Sequence, residues 1–214
     1  MKFSLLIFDL DGTLIDSRKD IAIAANWTRE KLGFPPIEES YVTAQIGGGV
    51  RALLHRILPE AKDGQVEKGL HIFREYYLVH CLDHTQLYSG TKKMLGALSS
   101  MKLAVVTNKP SNMTEKILEG LGVRSVFSSI RGGDDIAKKK PDPAMIHEVM
   151  EELGVGAGKT IMVGDSPVDV EAAKRAGIPT CGVTYGGISK TEALLAAKPD
   201  FIAHSPAELV TLFR

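Results

Sequence analysis

Only two cysteines occur, Cys81 and Cys181, and neither belongs to a Cys-x-x-Cys pair. A disulfide framework and a thiolate metal site are thereby excluded, and two ordinary thiols in a reducing compartment are expected. Neither sign of charge is in excess: 26 lysines and arginines stand against 26 aspartates and glutamates. That balance argues against nucleic acid as the main partner, which would call for a basic surface. No apolar run approaches the length that spans a bilayer, so no membrane partner is expected. The run Phe3–Phe8 is short, ends at an acidic residue and carries no cleavage pattern, so it does not read as a signal peptide. A cytoplasmic protein is the expectation. Internal repeats and low-complexity segments are lacking. So is a glycine-rich turn after the first apolar run, which a dinucleotide oxidoreductase would need.

What the sequence does contain is a rhythm. Its hydrophobic content of 44% supports a folded core. Short apolar runs recur at Phe3–Phe8, Leu103–Val106, Thr160–Val163 and Thr180–Val183, with a weaker one at Phe201–Ala203. Continuous runs without polar alternation are the signature of buried parallel strands. Amphipathic segments near Ser111–Leu121, Pro143–Leu153, Pro167–Ala176 and Lys190–Ala196 lie between them. Gly122, Gly154 and Gly177 stand where helix C-caps are expected. The alternation predicts an α/β fold, a doubly wound Rossmann-like parallel sheet. The rhythm breaks between Ser17 and Leu87, where only helical patterns appear: Arg18–Leu32, Val50–Leu58 and Gln65–Leu82, separated by Pro35–Pro36 and Gly47–Gly49. The expected organisation is a core of residues 1–15 and 88–214 with an α-helical cap, 16–87, inserted on two linkers.

Polar clusters sit where the apolar runs end. Asp9, Asp11, Gly12 and Thr13 follow the first run, and Thr107 and Asn108 the second. Gly164, Asp165 and Ser166 follow the third, with Asp169 one helical turn on, and Lys138–Lys140 precede Pro141. Taken singly, each has a structural explanation: an acidic turn, a helix cap, a solvated lysine face. Together they fall at one edge of an α/β sheet, where ligands bind. Two aspartates and a phosphate monoester repel one another unless cations offset them. A hard divalent ion held by carboxylate oxygens and a lysine would do so.

In this order, Asp9-x-Asp11-Gly12-Thr13, Thr107-Asn108, Lys140-Pro141 and Gly164-Asp165-Ser166-x-x-Asp169 resemble the four motifs of the haloacid dehalogenase superfamily. Gly132-Gly133-Asp134-Asp135, Ala176–Pro179 and Val183–Gly186 are similar to patterns of its phosphoglycolate phosphatase group. The resemblance implies that Asp9 attacks phosphorus and forms an aspartyl-phosphate. Asp11 would protonate the leaving oxygen and then activate water. Mg2+ would be held by Asp9, by the main-chain carbonyl of Asp11 and by Asp165, with Asp169 and Ser166 behind them. Thr107, Asn108 and Lys140 would hold the phosphoryl group. An acid at Asp11 favours phosphate over halide chemistry, and no His-x-x-Lys element of the mutase branch occurs near Gly47–Arg51.

The implied activity is hydrolysis of a small phosphorylated metabolite, with 2-phosphoglycolate as the leading substrate. The alternatives are an inorganic pyrophosphatase or another small-metabolite phosphatase on the same scaffold and, in a different class, a silent nucleotide-binding or regulatory module. Within the insert, Gly48 would lie at a flexible tip, and Arg51 just beyond it is the candidate for recognising an anionic leaving group. His80 and His84 share a helical spacing, although no third ligand completes a metal site. Trp27 reads as packing. The oligomeric state is left open.

Overall fold

The computed structural model describes residues 3–62, 64–134 and 138–214. The strands are β1 (Leu5–Phe8), β2 (Ile15–Asp16), β3 (Gln86–Leu87), β4 (Lys102–Val106), β5 (Ser129–Arg131), β6 (Thr160–Gly164), β7 (Thr180–Val183) and β8 (Phe201–Ala203). Four helices precede β3: α1 (Arg18–Lys31), α2 (Glu39–Ala44), α3 (Val50–Ile57) and α4 (Gln65–His80). Six follow it: α5 (Thr91–Ala97), α6 (Ser111–Gly120), α7 (Ala144–Leu153), α8 (Pro167–Ala176), α9 (Thr191–Ala196) and α10 (Pro206–Phe213). The chain forms two compact units, Met1–Asp16 with Leu87–Arg214, and Ser17–Gln86.

The larger unit is built on a six-stranded sheet in the order β5-β4-β1-β6-β7-β8, with every pairing parallel. All four residues of β1, Leu5–Phe8, are fully buried. That explains a run with no polar alternation: the central strand has both faces covered. Leu5 and Ile7 pack with Ala104, Val106 and Met162 of the neighbouring strands and with Met145, Ile146 and Val149 of α7. Ala172 and Ala173 of α8 complete that face, and their small side chains let the helix lie close to the sheet. Burying each large aliphatic chain contributes roughly 1.5–3 kcal/mol. The chain winds from β1 outward to β5, then crosses back to β6 beside β1. This reversal opens a crevice at the strand ends.

Local signals fix the helix ends. Pro167 begins α8, and Ser166 and Asp169 form a reciprocal capping box before it. Gly154 and Gly177 close α7 and α8 in the left-handed conformation, and Gly122 does the same just past α6. The strand of the first apolar run is Leu5–Phe8, and Ser4 before it already donates to Lys159 O at 2.8 Å and accepts from Lys102 N–H at 2.9 Å. The apolar runs do not announce β5. It is a three-residue edge strand whose identity depends on its register with β4.

The smaller unit is helical, with α4 packed on α1 and α3, and α2 packed on α1. Arg29 of α1 is buried and spends its guanidinium inside the unit. It donates to Pro35 O at 2.8 Å and to Ile57 O, and pairs with Glu60 at 3.2 Å. Asp20, also buried, accepts the backbone N–H groups of His84 and Thr85 at 3.0 and 2.8 Å. It further meets the Thr85 hydroxyl and the His84 ring, both at 2.8 Å. Asp20 thus ties the two ends of the inserted segment to each other.

Candidate active site

Asp9 leaves the C-terminal end of β1, and its backbone N–H donates to Val163 O of β6 at 2.9 Å. The register that pairs Phe8 with both Val105 and Val163 brings Asp9, Thr107 and Asp165 to the same sheet edge. Gly12 turns the chain at φ 87°, and a Cβ there would lie 2.5 Å from Asp165 Oδ2. The first and third polar clusters are therefore in direct contact. Gly164 is similarly compressed, since a Cβ would meet Asp169 Cγ at 2.4 Å.

Lys140 is a buried cation of the site. Its Nζ donates to Val106 O and to Asp169 Oδ1, both at 2.7 Å, and lies 2.9 Å from Asp9 Oδ1. The bond between Lys140 and Pro141 is cis. Burial disfavours its charge, but Asp169 and Asp9 outweigh burial and hold the ammonium well above its ordinary range. The other oxygen of Asp169 accepts the N–H and O–H of Ser166 at 3.1 and 2.6 Å. Both oxygens of Asp169 are thus engaged by protein groups, which suits a role behind the reacting groups.

Asn108 turns its side chain to the segment that carries Lys140. Its side-chain amide donates to Lys140 O at 3.0 Å and accepts from Lys140 N at 2.9 Å. The side chain is spent on fixing the lysine backbone. Thr107 is buried, and its Oγ1 accepts the Lys109 N–H at 3.3 Å while keeping a hydroxyl proton to donate.

Asp9, Asp165 and Asp169 can each place a carboxylate oxygen within 4.8 Å of the others. Their proximity has an electrostatic cost. Asp165 is raised to about 8 by burial first, then by the charges of Asp169 and Asp9, with the Ser189 N–H opposing. Burial also raises Asp9, to about 6; Lys140 opposes this and Asp169 adds to it. Asp9 Oδ1 is buried and lacks a well-directed hydrogen bond among the described residues. A crowded set of oxygen donors with one such oxygen fits a hard divalent cation, which would remove the repulsion.

Several contributors gave no sequence signal of their own. Lys109 Nζ reaches both oxygens of Asp11, at 2.9 and 3.1 Å. Tyr185 donates its hydroxyl to Thr13 O at 2.9 Å, and Tyr88 donates to Gly186 O at 2.6 Å. Ser189 N–H reaches Asp165 at 3.2 Å. The segment after β7 therefore lies over the Asp9–Thr13 turn and holds it. The only hint was the Val183–Gly186 pattern, which carries no chemistry by itself.

The weaker candidates fall within the helical unit. His80 Nδ1 faces Asp83 and His84 Nδ1 faces Asp20, each at 2.8 Å, so the two histidines serve separate carboxylates. Trp27 stacks on Tyr76. Gly47, Gly48 and Gly49 all have positive φ, as a tight loop requires. The loop is pinned at its base, where Arg56 donates to Gln45 O and Gly47 O at 2.9 Å. Arg51 is exposed and paired with exposed Glu67. Cys81 and Cys181 are buried and outside any disulfide, and burial, with the Glu208 charge adding, pushes Cys181 up to about 12. Asp135 lies outside the described residues. No described helix is long and apolar enough to cross a membrane.

Residues 6–183 match the haloacid dehalogenase-like hydrolase family. The chain belongs to that family. Its resemblance within the family runs to phosphoglycolate phosphatases. It is 41% identical over 210 residues to the phosphoglycolate phosphatase of Aquifex aeolicus, covering 97% of this chain and 95% of that one. It is 38% identical over 217 residues to that of Vibrio parahaemolyticus, covering 96% and 94%. A crystal structure described as a predicted phosphoglycolate phosphatase from Haemophilus somnus has a TM-score of 0.93. It is 30% identical and covers 100% of this chain and 99% of that one.

Proposed function

We propose that the protein is a Mg2+-dependent phosphatase that hydrolyses 2-phosphoglycolate through an aspartyl-phosphate on Asp9. The observation that carries this reading is the convergence of Asp9, Lys140 and Asp165 at one strand edge, with Asp11 two residues from Asp9. The names of the relatives support the choice of substrate.

A carboxylate oxygen of Asp9 attacks phosphorus in line with the ester oxygen. The P–O bond to the leaving group breaks, and Asp11 gives that oxygen its proton. Water then attacks the phosphoryl group and yields a proton to Asp11. The bond from phosphorus to Asp9 breaks, releasing inorganic phosphate and restoring both carboxyl groups. Lys140 and the Thr107 hydroxyl hold the equatorial oxygens. Bound by Asp9, Asp165 and the Asp11 carbonyl, Mg2+ would neutralise phosphoryl charge. The helical unit acts as a cap in this reading, and Arg51 recognises the substrate carboxylate, for which the core motifs offer no partner.

The test is phosphate release from a panel of small metabolites that includes phosphoglycolate and pyrophosphate. Phosphoglycolate should lead, and Asp9→Asn should abolish turnover while keeping the unfolding temperature. Preference for pyrophosphate would replace the substrate. Near-wild-type turnover by Asp9→Asn would remove the nucleophile.

A further inference from the structure

Lys109 is a buried lysine that none of the catalytic steps above uses. Its side chain is 5% exposed, and its Nζ meets both oxygens of Asp11, at 2.9 and 3.1 Å. A buried ammonium needs such compensation, because burial strips away its water. The approach to both oxygens constrains the Asp11 rotamer.

The backbone around Lys109 is built to aim it. Its N–H donates to Thr107 Oγ1, and its carbonyl accepts the Gly133 N–H at 2.9 Å. Two residues on, Ser111 N–H donates to Asp134 Oδ1 at 2.6 Å. The turn Gly132–Asp134 lies against this loop with no room for a side chain at Gly132 or Gly133. A Cβ on Gly133 would sit 2.4 Å from Asn108 O, and one on Gly132 would sit 2.3 Å from Ser111 Oγ. The Gly-Gly-Asp sequence after β5 thus acts as a clamp on the segment that carries Lys109.

We propose that Lys109 is the positioning residue for Asp11, aimed by the Gly132–Asp134 turn, and that it holds the acid–base carboxylate in line with the leaving oxygen. The inference rests on the phosphatase reading. A carboxylate free to rotate between wells would meet the leaving oxygen, and later the water, in only part of its population. A proton donor must lie within about 3 Å of its target, so loss of aim reduces turnover and leaves binding intact.

The test uses Lys109→Met, which keeps the apolar stem and removes the charge, and Lys109→Arg, which restores a cation. With phosphoglycolate and Mg2+, Lys109→Met should lower kcat roughly 10- to 100-fold with KM within about twofold, and Lys109→Arg should recover part of the loss. Unfolding temperatures of Lys109→Met, Asp11→Asn and the double variant should be non-additive, as for residues in contact. Unchanged kcat in Lys109→Met overturns the proposal. So does a raised KM with kcat kept, which would make Lys109 a substrate ligand, and so do additive unfolding temperatures. A wild-type protein that releases phosphate from no monoester would overturn the phosphatase reading instead, while the unfolding series would still report the Lys109–Asp11 contact.

Discussion

Gly186 rests directly on Gly12: a Cβ added at Gly186 would lie 1.7 Å from the Gly12 carbonyl oxygen. No rotamer relieves that overlap, because both sides are backbone. Tyr185 and Tyr88 fix the same approach through Thr13 O and Gly186 O. The Asp9–Thr13 turn is therefore held from outside as well as by its own glycine.

Gly186→Ala should force the two segments apart. Expected effects are a loss of roughly 1–3 kcal/mol in stability and a fall in turnover well beyond what that loss explains. Gly158→Ala, where nothing lies within 4 Å of the added carbon, is the control and should stay within about 0.5 kcal/mol of wild type. Chemical denaturation alongside the phosphate-release assay distinguishes the two. A Gly186→Ala protein with wild-type stability and turnover would mean the contact is not maintained in solution.

Asp165→Asn should make the metal-free protein more stable, since it removes one of three crowded carboxylates. A rise of about 2–4 °C in unfolding temperature corresponds to roughly 1 kcal/mol for a chain of this size. Saturating Mg2+ should stabilise the wild type by mass action and leave Asp165→Asn unmoved. A calorimetric scan with EDTA and then with Mg2+ reads both effects. Equal Mg2+ stabilisation of the two proteins would place the ion elsewhere.

Asp20 gives a stability effect with a defined pH sign. Burial raises its pKa. The donors from His84 and Thr85 outweigh burial and hold the carboxyl below its ordinary 3.8. With the folded value below the unfolded one, the contribution is full above 3.8 and is lost as pH falls through the lower folded value. Asp20→Asn should cost roughly 1–3 kcal/mol at pH 7, because an amide cannot accept from all of these donors. The gap from wild type should narrow only in strong acid. A gap constant from pH 2 to pH 7 would show that the charge contributes nothing.

Arg51→Ala tests the cap assignment. A charged hydrogen bond is worth roughly 1.5–3 kcal/mol, or about one to two decades in kcat/KM. That loss should appear on phosphoglycolate and be much smaller on a neutral aryl phosphate. Equal losses on both substrates would trace to the Glu67 pair and the fold of the helical unit. No loss on either would leave Arg51 a surface residue.

The parallel sheet was legible because its strands are buried on both faces, and Asp9, Thr107 and Asp165 were legible because each ends such a run. Lys109 was not. A lysine beside Pro110 reads like any solvated lysine until the Gly132–Asp134 turn folds back on it, and that turn follows β5, an edge strand too short to leave a pattern. Asp20 and Arg29 were hidden for a related reason: polar residues in an amphipathic helix read as its wet face. The hold of Asn108 on the Lys140 backbone was not legible either, because spacing does not say where an amide side chain turns.

The position of β1 also bears on how the chain is made. It precedes both of its partners in the chain, pairing with β4 on one side and β6 on the other, and β6 ends at Gly164. Until Gly164 has left the ribosome, Leu5–Phe8 is an apolar strand with an open edge, the feature that invites pairing between chains. The strand that leads into Asp9 is thus open to such pairing until β6 has been made.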